Sequence, residues 1–299
     1  MGTLNVVTGA FGFTGSYIAK RLLATGERVR TLTNHPRAGT AIEVAPLDFM
    51  DAQRLAGSLC GAAVLYNTYW VRFAYGHCDH VSAVENTRRL IRAAEKAGVE
   101  RIVHVSITNP SRDSELPYFK GKAEVEEIIR SSSLSYAILR PAVVFGQEDI
   151  LINNIAWLLR RSPLFAIPGR GNYRLQPIFV EDLADLAVAA GRGRDNVVMD
   201  AIGPDVYTYR DLVQLVRATV GSRSHTVSIG PSIVWIASRL LGRMVGDVVL
   251  TKDEISGLMQ DLLISANPPT GKKSLRDWLA DNAQTLGRHY ASELARHYA

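Results

Sequence analysis

Only two of the 299 residues are cysteines, Cys60 and Cys78, so the chain has neither a disulfide framework nor the cysteine spacing of a zinc site. A reducing, cytoplasmic setting is therefore the expectation. No apolar run is long and uninterrupted. The longest, Pro231 to Leu250, is broken by Arg239, Arg243 and Asp247, which excludes a bilayer-spanning segment there. Basic residues give a formal net charge of +5 but lie scattered, with no tract interleaved with aromatics, so nucleic acid is not an expected partner. There is no internal repeat and no low-complexity segment. The chain enters an apolar strand almost at once, and no signal or transit peptide is expected. At 47% hydrophobic and 21% charged residues, it reads as an ordinary globular protein of one large or two closely joined domains.

What is present is glycine at a telling place. The apolar strand Leu4 to Val7 breaks into Thr8-Gly9-Ala10-Phe11-Gly12-Phe13-Thr14-Gly15, and a helix follows from about Thr14 to Leu23, stopping at Gly26. The spacing is G-x-x-G-x-x-G, one residue wider in its first gap than the common dinucleotide fingerprint. Gly9 permits the tight turn, and Gly12 lets backbone N–H groups approach a pyrophosphate on the helix N-terminus. Gly15 lets the helix pack closely on the strand. Phe11, Phe13 and Thr14 share this loop and count with the glycines as cofactor-binding candidates.

The first half alternates strands and helices, the pattern of a Rossmann-type, doubly wound parallel α/β sheet. Strands are expected at Arg28–Leu32, Ala41–Ala45, Ala62–Tyr66, Arg101–Val105 and Tyr136–Leu139. The helices between them are expected at Ala52–Leu59, His80–Ala97 and Phe119–Arg130. In such sheets ligands bind beyond the carboxyl ends of the strands. After the second strand come Asn34 and Arg37, and no acid that would hold a ribose 2′-hydroxyl. Arg37 is placed to meet a 2′-phosphate, which favours NADP over NAD. After the third strand, Asp48 suits an adenine amino group beside Phe49, though a turn aspartate reads the same way. After the fourth, Asn67 and Thr68 fall where the cofactor's ribose passes. His77-Cys78-Asp79-His80 has no third ligand at zinc spacing and reads as a pocket loop or helix start rather than a metal site. Asn86, further along that helix, reads either as part of a buried polar network or as a solvated position.

The fifth strand delivers Ser106 and Thr108 at its carboxyl end. Ten residues on, Tyr118 and Lys122 stand four apart and share a face if helical. A cation one turn away favours the phenolate, the ammonium can also bind a ribose hydroxyl, and Thr108 can polarise a carbonyl. Lys120 points elsewhere, toward solvent.

These motifs, with Leu139-Arg140-Pro141-Ala142-Val143-Val144-Phe145-Gly146 and Ile178-Phe179-Val180-Glu181-Asp182-Leu183-Ala184, resemble the extended or atypical short-chain dehydrogenases/reductases. The nearest likeness is to the NAD(P)-binding, NmrA-like group that includes the reductase-like accessory subunit of respiratory complex I, and the likeness extends to NAD-dependent epimerase/dehydratase proteins. The resemblance implies that Tyr118 is the acid–base residue and Lys122 its partner and ribose ligand. It also implies that Pro141 to Val144, Pro141 and Val143 among them, border the nicotinamide.

Residues 1–146 are thus expected to bind the dinucleotide. Residues 147–299 form a smaller, mostly helical substrate-binding part, with 178–201 returning to the sheet. In that part Arg174 and Gln176 are candidates to face a substrate, Asp182 reads as a helix N-cap, and mostly helices are expected from about Ser222 to the end, covering the pocket. Ile233, Ile236, Ala237, Leu240, Leu241, Met244 and Val248 recur at helical spacing; such a face is usually core, otherwise a hydrophobic pocket wall, a membrane surface or a partner contact. The leading functional expectation is an NAD(P)-dependent oxidoreductase acting on a small, in one version hydrophobic, carbonyl or alcohol. A sugar-nucleotide epimerase or dehydratase uses the same apparatus. The contrasting class is a non-catalytic dinucleotide-binding sensor or scaffold. Oligomeric state is left open.

Overall fold

A computed structural model describes residues 2–37 and 39–297 of the chain. Its elements begin β1 (Leu4–Thr8), α1 (Phe13–Ala24), β2 (Arg28–Leu32), β3 (Glu43–Ala45), α2 (Ala52–Leu59) and β4 (Val64–Asn67). They continue α3 (His80–Lys96), β5 (Arg101–Val105), α4 (Pro117–Arg130), β6 (Ser135–Pro141), β7 (Val144–Phe145) and α5 (Leu151–Arg161). Next come β8 (Leu164–Pro168), β9 (Arg174–Leu175), β10 (Ile178–Phe179), α6 (Val180–Arg192), β11 (Val197–Ala201) and β12 (Tyr207–Thr208). The chain closes with α7 (Tyr209–Thr219), β13 (His225–Ile229), α8 (Pro231–Val245), α9 (Lys252–Leu258), α10 (Leu275–Asn282) and α11 (Glu293–His297).

Two compact units emerge. The first takes the chain up to Pro141 together with Val180–Ala201. Its sheet has seven strands in the order β11-β6-β5-β4-β1-β2-β3, and every pairing is parallel. This is the doubly wound α/β arrangement the alternating pattern predicts. The inner strands β1, β4, β5 and β6 are mostly buried because helices cover both faces. Val6, Leu65, Ile102 and Ile138, on four adjacent strands, are fully buried in one core cluster. Strand order reverses between β1 and β4, so the loops leaving Thr8 and Asn67 flank the switch point where such sheets take their ligands.

Local boundaries differ from expectation only at edges. β3 starts at Glu43, where pairing with Arg30 begins, and β4 at Val64 opposite Asn5 and Arg101. α6 starts at Val180, so Asp182 is not its N-cap; it stands with Glu181 in the first turn, where acids favour the helix dipole.

The second unit comprises Ala142–Phe179 and residues from Ile202 onward. Its core gathers Phe145, Ile152, Leu159, Ile167, Leu175, Leu212 and Trp278. Helices dominate, but three two-stranded pairings, β10 with β7, β12 with β9 and β13 with β8, run through it. From Ser222 onward the chain is mostly helical, as expected, with one strand: β13, in which Thr226–Ile229 alternates polar and apolar residues, pairs in parallel with β8. Arg174 and Gln176 tie this unit to itself. Arg174 pairs with Asp261 at 3.2 Å, and buried Gln176 donates to the Gly203 carbonyl at 2.9 Å.

The apolar face of α8 is the larger correction. Ile233, Ile236, Leu240 and Met244 are not core; they are 58%, 53%, 56% and 84% exposed. The buried positions are Val234, Ser238 and Gly242. A Cβ at Gly242 would stand 2.5 Å from the Asp247 carbonyl oxygen, so the chain after the helix folds back against its small-residue side. Hydrophobic spacing identifies the face but not the side on which the neighbours pack.

Candidate dinucleotide site

The glycine loop leaves β1 with Gly9 at φ +69°, a backbone state that favours glycine. The Gly12 N–H donates to the Gly9 carbonyl at 2.8 Å and closes the turn. A Cβ on Gly15 would lie 2.2 Å from that same carbonyl oxygen, so only glycine lets α1 start here. Gly12 is the N-cap of α1; no side chain caps the helix and no acid lies in its first turn. The positive end of the helix dipole is therefore not neutralised by a side chain of its own first turn. These features fit a pyrophosphate, and a dinucleotide would rest on Gly9, Gly12 and the first turn through Phe13, Thr14 and Gly15.

The neighbouring loops converge on this turn. The Arg37 guanidinium lies 5.2 Å from the centre of the Phe11 ring, which brings a cation from the β2 loop onto the glycine loop. Asn34 exchanges two hydrogen bonds with the backbone of Leu47, its Nδ2 donating to the carbonyl at 3.0 Å and its Oδ1 accepting from the N–H at 3.3 Å. Asp48 accepts from the N–H groups of Met50 and Asp51 and from Arg54, the turn role weighed for it. Phe49 packs on Tyr69 at 5.0 Å between ring centres, and the Tyr69 hydroxyl accepts from Asn86 at 3.0 Å.

At the switch point a buried polar chain joins three strands. The Thr8 hydroxyl donates to Asn67 Oδ1 at 3.1 Å and accepts from the Thr68 N–H at 2.9 Å. Asn67 Nδ2 donates to His104 Nδ1 at 3.1 Å. An amide nitrogen can only donate, so Nδ1 accepts and the imidazole proton sits on Nε2, which is buried without a partner. Full burial, with the Lys122 charge nearby, holds the His104 pKa well below its ordinary value, so the ring stays neutral.

Tyr118 and Lys122 both lie on α4, which begins with Pro117 at its first turn, two residues earlier than expected. Lys122 is only 3% exposed. Its Nζ donates to the Val105 carbonyl at 2.8 Å and stands 4.5 Å from the centre of the Trp70 ring. Burial drives its pKa down to about 7, opposed by Glu126 one turn on. The same indole meets Tyr118 edge to face at 5.8 Å and lies 6.0 Å from His80. Trp70 thus touches both members of the expected pair. Gly121, between them on the helix, makes this possible: a Cβ there would come within 2.9 Å of Trp70 Cη2. Thr108 is fully buried, its N–H bonded to the Pro141 carbonyl at 2.9 Å, and Asn109 after it takes φ +52°. Lys120 is exposed. Val143 belongs to the second unit, where it is buried and its carbonyl accepts from the Ile178 N–H at 2.8 Å.

Residue-by-residue reading missed several parts of this region. Trp70 sat unremarked in a polar run. Glu126, 3% exposed, accepts from Ser106 at 2.7 Å, from Arg140 Nε at 2.9 Å and Nη2 at 2.6 Å, and from Arg130 at 3.2 Å. Its spacing of four from Lys122 was the available signal. His104 was visible as a polar residue among the apolar Ile102, Val103 and Val105. Asp79 caps α3 by accepting from the Ser82 N–H at 2.7 Å, and among the described residues no three His, Cys, Asp or Glu side chains gather as a metal site.

Residues 9–151 match the family model described as NAD(P)H-binding. The match takes in the glycine loop, the switch point and α4, so the first unit carries an NAD(P)-binding domain. The relatives are of the kind the motif resemblance implied. The chain is 26% identical over 292 residues to the mitochondrial NADH dehydrogenase (ubiquinone) 1 alpha subcomplex subunit 9 of Arabidopsis thaliana, covering 89% of this chain and 72% of that protein. It is 24% identical over 244 residues to the photosystem II assembly factor Ycf39 of Cyanidium caldarium, covering 79% and 78%. Among solved structures, the NADPH-dependent quinone oxidoreductase QOR2 of Escherichia coli, complexed with NADPH, superposes with a TM-score of 0.75 at 20% identity, covering 93% of this chain and 99% of that one. At that identity the likeness is one of fold.

Proposed function

We propose that this protein holds NADP(H) in its first unit as a fixed component of a protein assembly and does not turn it over. The observation that carries the proposal is Trp70. In a catalytic pair the lysine's charge acts on the tyrosine and on a ribose hydroxyl. Here the Lys122 amine is held by the Val105 carbonyl and the Trp70 face, and the indole edge abuts the Tyr118 ring. Burial brings Lys122 to about 7, so near neutrality a large share of it is uncharged and the electrostatic pull on a phenolate is weak. That two relatives covering most of this chain are named as a respiratory-enzyme subunit and an assembly factor supports a protein partner. Arg37 over Phe11, with no acid after β2, supports the preference for NADP. The setting we propose is cytoplasmic.

A second reading has one observation in its favour. Tyr118 and Lys122 stand one turn apart on α4, and a lysine near 7 can exchange protons. On that reading Tyr118 exchanges the proton while hydride passes between the nicotinamide and a carbonyl or alcohol carbon. Sugar-nucleotide chemistry is the weaker form of it, because Arg174 is occupied by Asp261. The test is a thermal-shift panel with NAD, NADH, NADP and NADPH, followed by steady-state cofactor oxidation with carbonyls and quinones. Stabilisation by NADP(H) without turnover is the expected result. Turnover that Tyr118→Phe removes would establish the second reading, and no stabilisation by any dinucleotide would remove both.

A further inference from the structure

Most surface helices turn their large apolar side chains inward and their small or charged ones outward. α8 does the reverse. Val234, Ser238 and Gly242 face the protein, with the Ser238 hydroxyl bonded to the Leu250 carbonyl at 3.2 Å, while Ile233, Ile236, Leu240 and Met244 face out. At 3.6 residues per turn these four fall on one stripe about a quarter of the circumference wide. Arg239 and Arg243 lie together along one edge of that stripe, and the Arg239 guanidinium packs 5.2 Å from the centre of the Trp235 ring. α8 itself contains no Asp or Glu; Asp247, just beyond it, is 8% exposed and engaged by the Tyr290 hydroxyl and the Glu293 N–H. No helix among the described residues is long and apolar enough to cross a membrane, and fifteen residues of helix span only about 22 Å.

We propose that α8 is an interfacial anchor that lays its outer face on an anionic lipid surface. The apolar stripe enters the boundary between headgroups and acyl chains. Arg239 and Arg243 sit at headgroup level along the edge of the stripe. A protein groove would also cover the apolar stripe, but two cations along its edge, on a helix with no carboxylate of its own, match a surface of uniform negative charge. This inference does not depend on whether the dinucleotide is turned over.

The experiment is flotation of the full chain with vesicles of phosphatidylcholine alone and with about a third phosphatidylserine. Binding is expected to the anionic vesicles and not to the neutral ones, falling as salt is raised. Each arginine near such a surface is worth about fivefold in partition, so R239Q with R243Q should cost roughly twenty- to thirtyfold. The pair L240Q with M244Q should abolish flotation. All four residues are exposed, so the variants should keep the parent melting temperature, which the same samples report. Absence of flotation with anionic vesicles overturns the proposal. So does flotation that survives L240Q with M244Q, or a self-association in solution that those changes dissolve while no vesicle binding is seen.

Discussion

Replacing Gly15 by alanine tests the dinucleotide loop at its tightest point. The new Cβ would lie 2.2 Å from the Gly9 carbonyl oxygen and 2.7 Å from its carbonyl carbon, both backbone atoms that cannot rotate away. Relief requires the turn at Gly9 and the first turn of α1 to separate by about 1 Å, judged against an ordinary carbon–oxygen contact. Overpacking of this kind costs about 1–3 kcal/mol, while alanine for glycine inside a helix returns about 1 kcal/mol, leaving a net loss of up to about 2 kcal/mol. In a unit of this size that lowers the melting temperature by up to about 6 °C. Binding suffers more. A shift of that size misaligns backbone N–H groups with a phosphate, and each charge-assisted bond is worth about 1.5–3 kcal/mol, or roughly ten- to a hundredfold in Kd. Gly12→Ala is the contrast. Its φ of −85° suits any residue and its Cβ would meet the Gly9 oxygen at 3.2 Å, so the free protein should melt within about 2 °C of the parent while NADPH affinity falls. Calorimetric titration with NADPH and melting of the free protein read both effects. A Gly15→Ala protein that melts like the parent and binds NADPH within threefold of it would refute the account of this loop.

Arg37→Ala should weaken NADPH by about tenfold and NADH by less than threefold, measured by competition titration, because only the 2′-phosphate needs the guanidinium. Lys122 carries a pH signature. Its pKa falls from 10.5 to about 7 on burial, so below pH 7 the fold bears the full cost of a buried ammonium; as pH rises toward 10.5 the native state sheds its proton first and the cost disappears at about 1.4 kcal/mol per pH unit. Wild type should therefore gain about 2 kcal/mol relative to Lys122→Met between pH 7 and pH 9 in urea unfolding, and a pH-independent difference would contradict the burial. Glu126→Ala strands Arg140, whose side chain is one quarter exposed, and should cost about 2–3 kcal/mol in the same assay.

The sheet was legible because short apolar-rich strands alternate with helical segments, and the dinucleotide loop because a turn at φ +69° and a helix packed on it demand glycine at Gly9 and Gly15. Tyr118 and Lys122 could be paired from helical spacing alone. What they touch could not. The Trp70 indole reaches α4 from the loop after β4, about fifty residues away in the chain, and only the fold shows that Gly121 leaves room for it. Asn34 and Asp48 follow the correct strands, yet their side chains are committed to Leu47, Met50 and Asp51, a choice that local sequence leaves open. α8 failed for the opposite reason. Its hydrophobic period is real, but period does not say which side the protein occupies, and the segment after Gly246 packs on the face of Ser238 and Gly242.

Retention of NADP(H) without turnover is tested by stopped-flow absorbance of the NADPH-loaded protein, mixed with excess quinone and carbonyl acceptors and run beside Tyr118→Phe. One slow trace shared by both proteins is expected, no faster than free NADPH under the same conditions. A rapid single-turnover oxidation by the wild type, lost in Tyr118→Phe while NADPH affinity is kept, would contradict it.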